Sequence, residues 1–144
     1  MKRHLLDASS LMLLMKTANT QTTLDCLGAS CILDLTFYEV GNAIYKDTCL
    51  TKFLTKKESE TLKNRVQKVL LKTEKIASEP DKFQQILDIS ENEKLTFYDA
   101  SYLFVAKENG LILVTEDKQL NAKAQKHIKT TNATTLSTAK QKQE

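Results

Sequence analysis

The 144-residue chain has no tryptophan, one proline and three glycines. With so few breakers, most of it is expected in regular helices and strands joined by short connections. Histidine is scarce too: His4 and His127 stand alone, with no second His or Cys at ligand spacing, which argues against a zinc site. The three cysteines, Cys26, Cys31 and Cys49, form no C-x-x-C pair and read as reduced thiols serving as small buried hydrophobes. No apolar run approaches the roughly 20 residues needed to cross a bilayer. The strongest, Leu111-Ile112-Leu113-Val114, has only the length of a strand. Met1-Lys2-Arg3-His4 is basic, but only Leu5-Leu6 follows before Asp7, too little for a signal-peptide core. A soluble, cytoplasmic protein with no membrane contact is expected.

Nor is there a large excess of one charge: 21 Lys+Arg against 18 Asp+Glu leave +3. The distribution is less even. Lysines 118, 123, 126, 129, 140 and 142 fall in a stretch, 118–143, that holds no carboxylate. Such a stretch is as compatible with a solvated face as with nucleic-acid contact.

What is present reads as alternating strands and helices. His4-Leu5-Leu6 is a short buried strand ending at Asp7, and Ser9 or Ser10 can cap a helix over 11–15. A second apolar run, Cys31-Ile32-Leu33, precedes helical spacing over 37–46. Thr55-Lys56-Lys57-Glu58 has the form of a capping box. Leu62, Val66, Val69, Leu70 and Ile76 continue it as one apolar stripe, which Pro80 ends, and a shorter helix covers 82–89. Thr96 caps a further helix with Asp99 at its third position and Gly110 as its left-handed stop. Residues 111–114 form a strand buried on both faces, residues 133–136 a final edge strand, and 138–144 a polar, frayed tail. The pattern is α/β: one domain, residues 1–137, with a parallel sheet flanked by helices.

Ligands of parallel sheets bind beyond the carboxyl ends of the strands. Asp7 directly follows the first strand, Asp117 comes three residues after Val114, and Glu39 lies in the first helical turn after the second strand. Asp99 opens the helix that leads into the 111–114 strand. Four carboxylates in one cleft repel, and some are driven to protonate. A hard divalent cation removes that cost, and it can polarise a phosphodiester and ease ionisation of a water. Each acid also has a local explanation: a capping box for Glu39 and Asp99, an N-cap or turn for Asp7 and Asp117.

Four segments carry a family resemblance: Leu5-Leu6-Asp7-Ala8-Ser9, Phe37-Tyr38-Glu39-Val40-Gly41-Asn42-Ala43, Tyr98-Asp99-Ala100-Ser101-Tyr102-Leu103 and Leu113-Val114-Thr115-Glu116-Asp117-Lys118. In order and spacing the set resembles the motifs of PIN domains, most of all the VapC-type toxins of toxin–antitoxin pairs. The likeness runs from Leu5 to about Leu136. It implies a metal-dependent endoribonuclease in which Asp7, Glu39, Asp99 and Asp117 hold Mg²⁺ or Mn²⁺ and carry catalysis. Ser9 and Thr115 match hydroxyl positions that support such a site, and Asn42 lies one turn from Glu39 on the same face. Local capping explains these three equally well. Glu116 is a substitute ligand only if Asp117 fails, and helix capping accounts for Asp34. The family also implies an RNA substrate, an antitoxin protein as partner and a homodimer. The Lys-rich region 51–93 carries no family signature; its stripe is core, dimer packing or an antitoxin groove.

Other readings compete with this one. One is a PIN nuclease of RNA maturation or DNA processing that has no antitoxin. Another is a non-catalytic RNA-binding domain of the same shape. A phosphoacceptor receiver ranks last, because it needs an acidic pair after the first strand and Asp7 is followed by Ala8.

Overall fold

Alternation along short strands divides the interior in two. In β1 (His4–Leu6), Leu5 and Leu6 point to opposite faces and both are fully buried. β2 (Ser30–Leu33) sends Ile32 to one face and Cys31 and Leu33 to the other; β4 (Ile112–Val114) separates Val114 from Leu113 in the same way. A strand wanted by two cores reads as a continuous apolar run, which is why these three were legible.

The computed structural model describes residues 1–142. Between β1 and β2 come α1 (Ala8–Thr17) and α2 (Thr20–Gly28). After β2 follow α3 (Asp34–Tyr45), extended by a π turn at Lys46–Leu50, then α4 (Lys56–Lys72) and β3 (Glu74–Ile76). A 3-10 turn, Pro80–Lys82, leads into α5 (Phe83–Glu93) and α6 (Phe97–Glu108), which precede β4. Last come α7 (Lys118–Ala124), β5 (Thr130–Thr131) and α8 (Ala133–Gln141). The strands form one parallel sheet in the order β3-β2-β1-β4-β5. Leu6, Ile32 and Val114 pack with α1, α2, α3, α4 and α8; Leu5, Cys31, Leu33 and Leu113 pack with α6 and α7. The expected single domain with a helix-flanked parallel sheet is what the chain forms.

Several local expectations are corrected. The N-cap of α1 is Asp7, not Ser9 or Ser10; Ser10 instead donates its hydroxyl to the Val114 carbonyl at 2.7 Å, tying α1 to β4. Helix α2 had no strong apolar periodicity and was not expected. Ile76 belongs to β3 rather than to the α4 stripe, because α4 ends at Lys72. Residues 133–136 are the start of α8, capped by Asn132, and the edge strand is Thr130–Thr131. Residues 138–141, expected in a frayed tail, complete α8; 143–144 lie outside the described residues. Cys49 is exposed, unlike Cys26 and Cys31.

Two devices hold the frame. Gly110, at φ 64°, takes the left-handed turn that stops α6 before β4. Arg65 of α4 donates to the carbonyls of Met15 and Ala18 (2.7 Å) and to the Thr23 hydroxyl (3.1 Å), closing the end of α1 and clamping α1, α2 and α4 together. Among the described residues no helix is long and apolar enough to cross a membrane.

Candidate active site

The strand order reverses between β1 and β4, and the crevice above their carboxyl ends is where an open parallel sheet binds ligands. Asp7 stands there, 4% exposed. Its Oδ1 accepts the Ser10 N–H (2.9 Å) and the Ser9 hydroxyl (2.7 Å), and its Oδ2 accepts the Thr115 hydroxyl. Ser9 and Thr115 also accept, from the N–H groups of Glu116 (3.0 Å) and Asp117 (3.1 Å). The turn after β1 and the loop after β4 are thus stitched together through one carboxylate. Asp117 is more exposed and caps α7 by accepting the Leu120 N–H at 2.9 Å.

Glu39 enters from α3, in its second turn rather than the expected first. Its Oε1 accepts the Tyr102 hydroxyl at 2.7 Å. Tyr102 in turn is 2.7 Å from the Thr36 hydroxyl, which accepts the Leu33 N–H at 3.1 Å. Since the tyrosine proton goes to Glu39, the Thr36 proton goes to Tyr102, and one directed chain runs Leu33 N–H, Thr36, Tyr102, Glu39. Burial pushes the Glu39 carboxyl up, the Tyr102 hydrogen bond opposes that, and the charge of Asp7 adds to it. Burial above all holds the Tyr102 phenol protonated.

Asp99 is the third residue of α6, where its N–H meets the Thr96 hydroxyl at 3.1 Å. Its carboxyl is pushed up to about 6, first by burial and then by the charges of Asp117, Asp7 and Glu39, against a hydrogen bond from Thr96. That list of neighbours matters: all four sequence-selected acids share one electrostatic field. They do not share one coordination sphere, since among the described residues no three His, Cys, Asp or Glu side chains stand in ligand geometry around a point. The donor set fits a hard divalent cation nonetheless. It is all oxygen, it lacks thiolate and imidazole, and its members repel one another.

Other residues resolve differently. Asn42 is exposed on α3 and makes no side-chain hydrogen bond to the acids among the described residues. Glu116 turns to α8, accepting the Ala133 N–H at 2.7 Å. Asp34 is not an N-cap; Leu33 is, and the Asp34 carboxylate binds the Leu35 N–H and both the N–H and hydroxyl of Ser78, fastening the loop after β3. Thr36 and Tyr102 were missed as site residues. The sequence held one clue to the first: Leu35-Thr36-Phe37-Tyr38-Glu39 echoes Leu95-Thr96-Phe97-Tyr98-Asp99, so a threonine stands three residues before each acid. The two serve differently, because Thr96 is the N-cap of α6 and Thr36 is the third residue of α3.

The chain is similar to known proteins in sequence and in fold. The family model of the PIN domain matches residues 5–126. Exonuclease VapC9 of Pyrobaculum aerophilum is 40% identical over 92 residues, which span 64% of this chain and 65% of that protein's length. The crystal structure of PAE2754 from Pyrobaculum aerophilum superposes with a TM-score of 0.80 at 30% identity, covering 98% of each chain. FitAcB from Neisseria gonorrhoeae, at 16% identity and a TM-score of 0.57 over 90% of this chain and 97% of that one, shares the fold. The extent of the family match, with motifs in order on a shared fold, makes this chain a member of the PIN-domain family.

Proposed function

We propose that the chain is a metal-dependent endoribonuclease, the toxin of a VapBC-type pair, with Asp7, Glu39, Asp99 and Asp117 as ligands of Mg²⁺ or Mn²⁺. The observation that carries this reading is the Asp99 carboxyl, raised to about 6 by burial and by the other three acids. Such mutual repulsion is what a divalent cation relieves. A bound cation would supply positive charge to the phosphodiester and ease ionisation of the attacking water. The chain's own part is positional. Ser9, Ser10 and Thr115 fix the Asp7 carboxylate, and the Tyr102 hydroxyl orients Glu39. Asp117 is the most exposed of the four acids.

The test is cleavage of a mixed tRNA and rRNA pool with Mg²⁺, with Mn²⁺ and with EDTA, using Asp7→Asn and Asp99→Asn proteins. Cleavage confined to wild type with metal is expected; undiminished activity in EDTA, or in both variants, overturns the reading. The 40%-identical relative carries the name exonuclease. A circular RNA separates the modes, since only an endonuclease opens it.

For the antitoxin we assign the groove of about 400 Å³ between α3 and α4, lined by Phe37, Ile44, Val66, Leu70 and Leu71. Phe37 and Leu71 are 55% and 77% exposed there, an apolar seat of the kind that receives an amphipathic segment. Co-purification of the neighbouring gene's product with wild type, and its loss with Leu71→Asp, is the expected result. The homodimer is assigned to a separate apolar groove beside α5 and α6, where Phe83 and Tyr98 are exposed. Sedimentation of Phe83→Glu against wild type tests it.

A further inference from the structure

Beyond Asp117, on the β5 side of the acids, lies a pocket of about 410 Å³. Lys118, Asn121, Gln125, Thr131, Asn132 and Thr135 line it, and it shares Thr115 and Asp117 with the candidate active site. Its size suits a small polar ligand.

The lining is rich in neutral hydrogen-bonding groups, with charge confined to the run Glu116, Asp117 and Lys118. Oδ1 of Asn132 accepts the Thr135 N–H at 2.8 Å, and Oδ1 of Asn121 accepts from Gln125 Nε2 at 3.4 Å. The amide NH₂ groups of both asparagines and the Gln125 carbonyl therefore have no protein partner among the described residues. A phosphate site would gather several cations; here Lys118 is the one cation, beside the Glu116 and Asp117 carboxylates. No aromatic ring lines the pocket, so base stacking does not drive binding. Neutral amides and hydroxyls match sugar hydroxyls and base edges instead.

We propose that this pocket is a subsite for the sugar and base of one nucleotide of single-stranded RNA, next to the phosphodiester presented to the acids. The proposal rests on the nuclease reading for its place in a reaction, and it adds the step that distinguishes RNA from DNA: hydrogen bonding to the ribose 2′-hydroxyl.

The test is binding of a labelled five-nucleotide single-stranded RNA, and of the DNA of the same sequence, followed by anisotropy in EDTA. Asn132→Ser keeps a hydroxyl to cap α8 while removing the amide, and Asn121→Ala/Gln125→Ala leaves every side-chain cap in place, since Gln125 closes α7 through its backbone N–H. In each protein RNA affinity falls about tenfold while DNA affinity changes less than twofold, consistent with the loss of one or two hydrogen bonds. Unchanged RNA affinity in both variants, equal losses for RNA and DNA, or no RNA preference in wild type overturns the proposal. If Asn132→Ser fails to fold by circular dichroism, the double variant decides. Cleavage assays on the same preparations separate the two readings. Wild type that cleaves RNA, but no better than the variants do, sinks the subsite alone; wild type that binds RNA selectively but never cleaves sinks the nuclease and leaves the subsite standing.

Discussion

The hydroxyl of Tyr102 donates to Glu39 Oε1 at 2.7 Å, joining two helices across 63 positions of sequence. It is the last link of a chain that begins at the Leu33 backbone, so the end of β2 and the face of α6 together aim one carboxylate. Tyr102→Phe removes the link and leaves Thr36 without its acceptor. A loss of about 1–3 kcal/mol is expected from the buried polar group left unpaired. RNA cleavage should fall about tenfold as Glu39 loses its orientation and the bond that favours its charged form. Thr36→Val, which breaks the chain one step earlier, should lower thermal stability by a similar amount, whereas Thr36→Ser should restore it. Equal activity in wild type and Tyr102→Phe would show that Glu39 is placed by other means.

Arg65 offers a test of the frame remote from the acids. Its guanidinium spans the Met15 and Ala18 carbonyls and the Thr23 hydroxyl, a fork that an ammonium cannot reproduce. Arg65→Ala should cost about 2 kcal/mol, a drop in Tm of roughly 5 °C, with Arg65→Lys recovering less than half. Calorimetry checks both, and RNA binding should survive in either protein.

The three thiols should divide one against two. Cys49 is exposed, whereas Cys26 and Cys31 are buried. Burial, helped by Glu74 and opposed by Lys2, pushes the Cys31 thiol up to about 11, and burial raises Cys26 too. A thiol-specific chromogenic reagent at pH 8 should react quickly with one equivalent, lost in Cys49→Ser, and with the other two only on unfolding. Fast reaction of two or three thiols in folded protein would contradict the packing.

Legibility in the sequence followed burial. Leu5-Leu6, Ile32 and Leu113-Val114 are claimed by cores on both sides of the sheet and stand out as apolar runs. The edge strands do not: β3 is Glu74-Lys75-Ile76 with two exposed charges, and β5 is only Thr130-Thr131. Charge at an edge guards it against pairing with another chain, and the same charge hides the strand from a hydropathy reading. At the site, residues adjoining strand ends were readable from position, as with Asp7 and Asp117. Tyr102 was not. It is the one buried tyrosine of four, 1% exposed, and only the packing of α6 against α3 gives its hydroxyl a purpose.

Asp99 yields the sharpest pH prediction. Its folded carboxyl titrates at about 6 against an ordinary 3.8, so the folded chain holds that proton more tightly than the unfolded one. The stability this contributes is complete below about pH 4 and is lost as pH rises through 6. Glu39, also raised, acts in the same direction. Metal-free protein should therefore gain stability, from this pair, as the pH is lowered from 7 to 5. Asp99→Asn should flatten that profile and raise Tm at pH 7 by a few degrees, corresponding to about 1 kcal/mol once solvent screening at a half-exposed group is allowed for. Adding Mg²⁺ or Mn²⁺ at pH 7 should stabilise wild type, with protons released on binding, and should do far less for Asp99→Asn. Melting curves across pH 5–8, with and without metal, compare the two proteins directly. A wild-type profile no steeper than that of Asp99→Asn, together with equal metal response, would mean that the four acids neither repel one another nor bind a common ion.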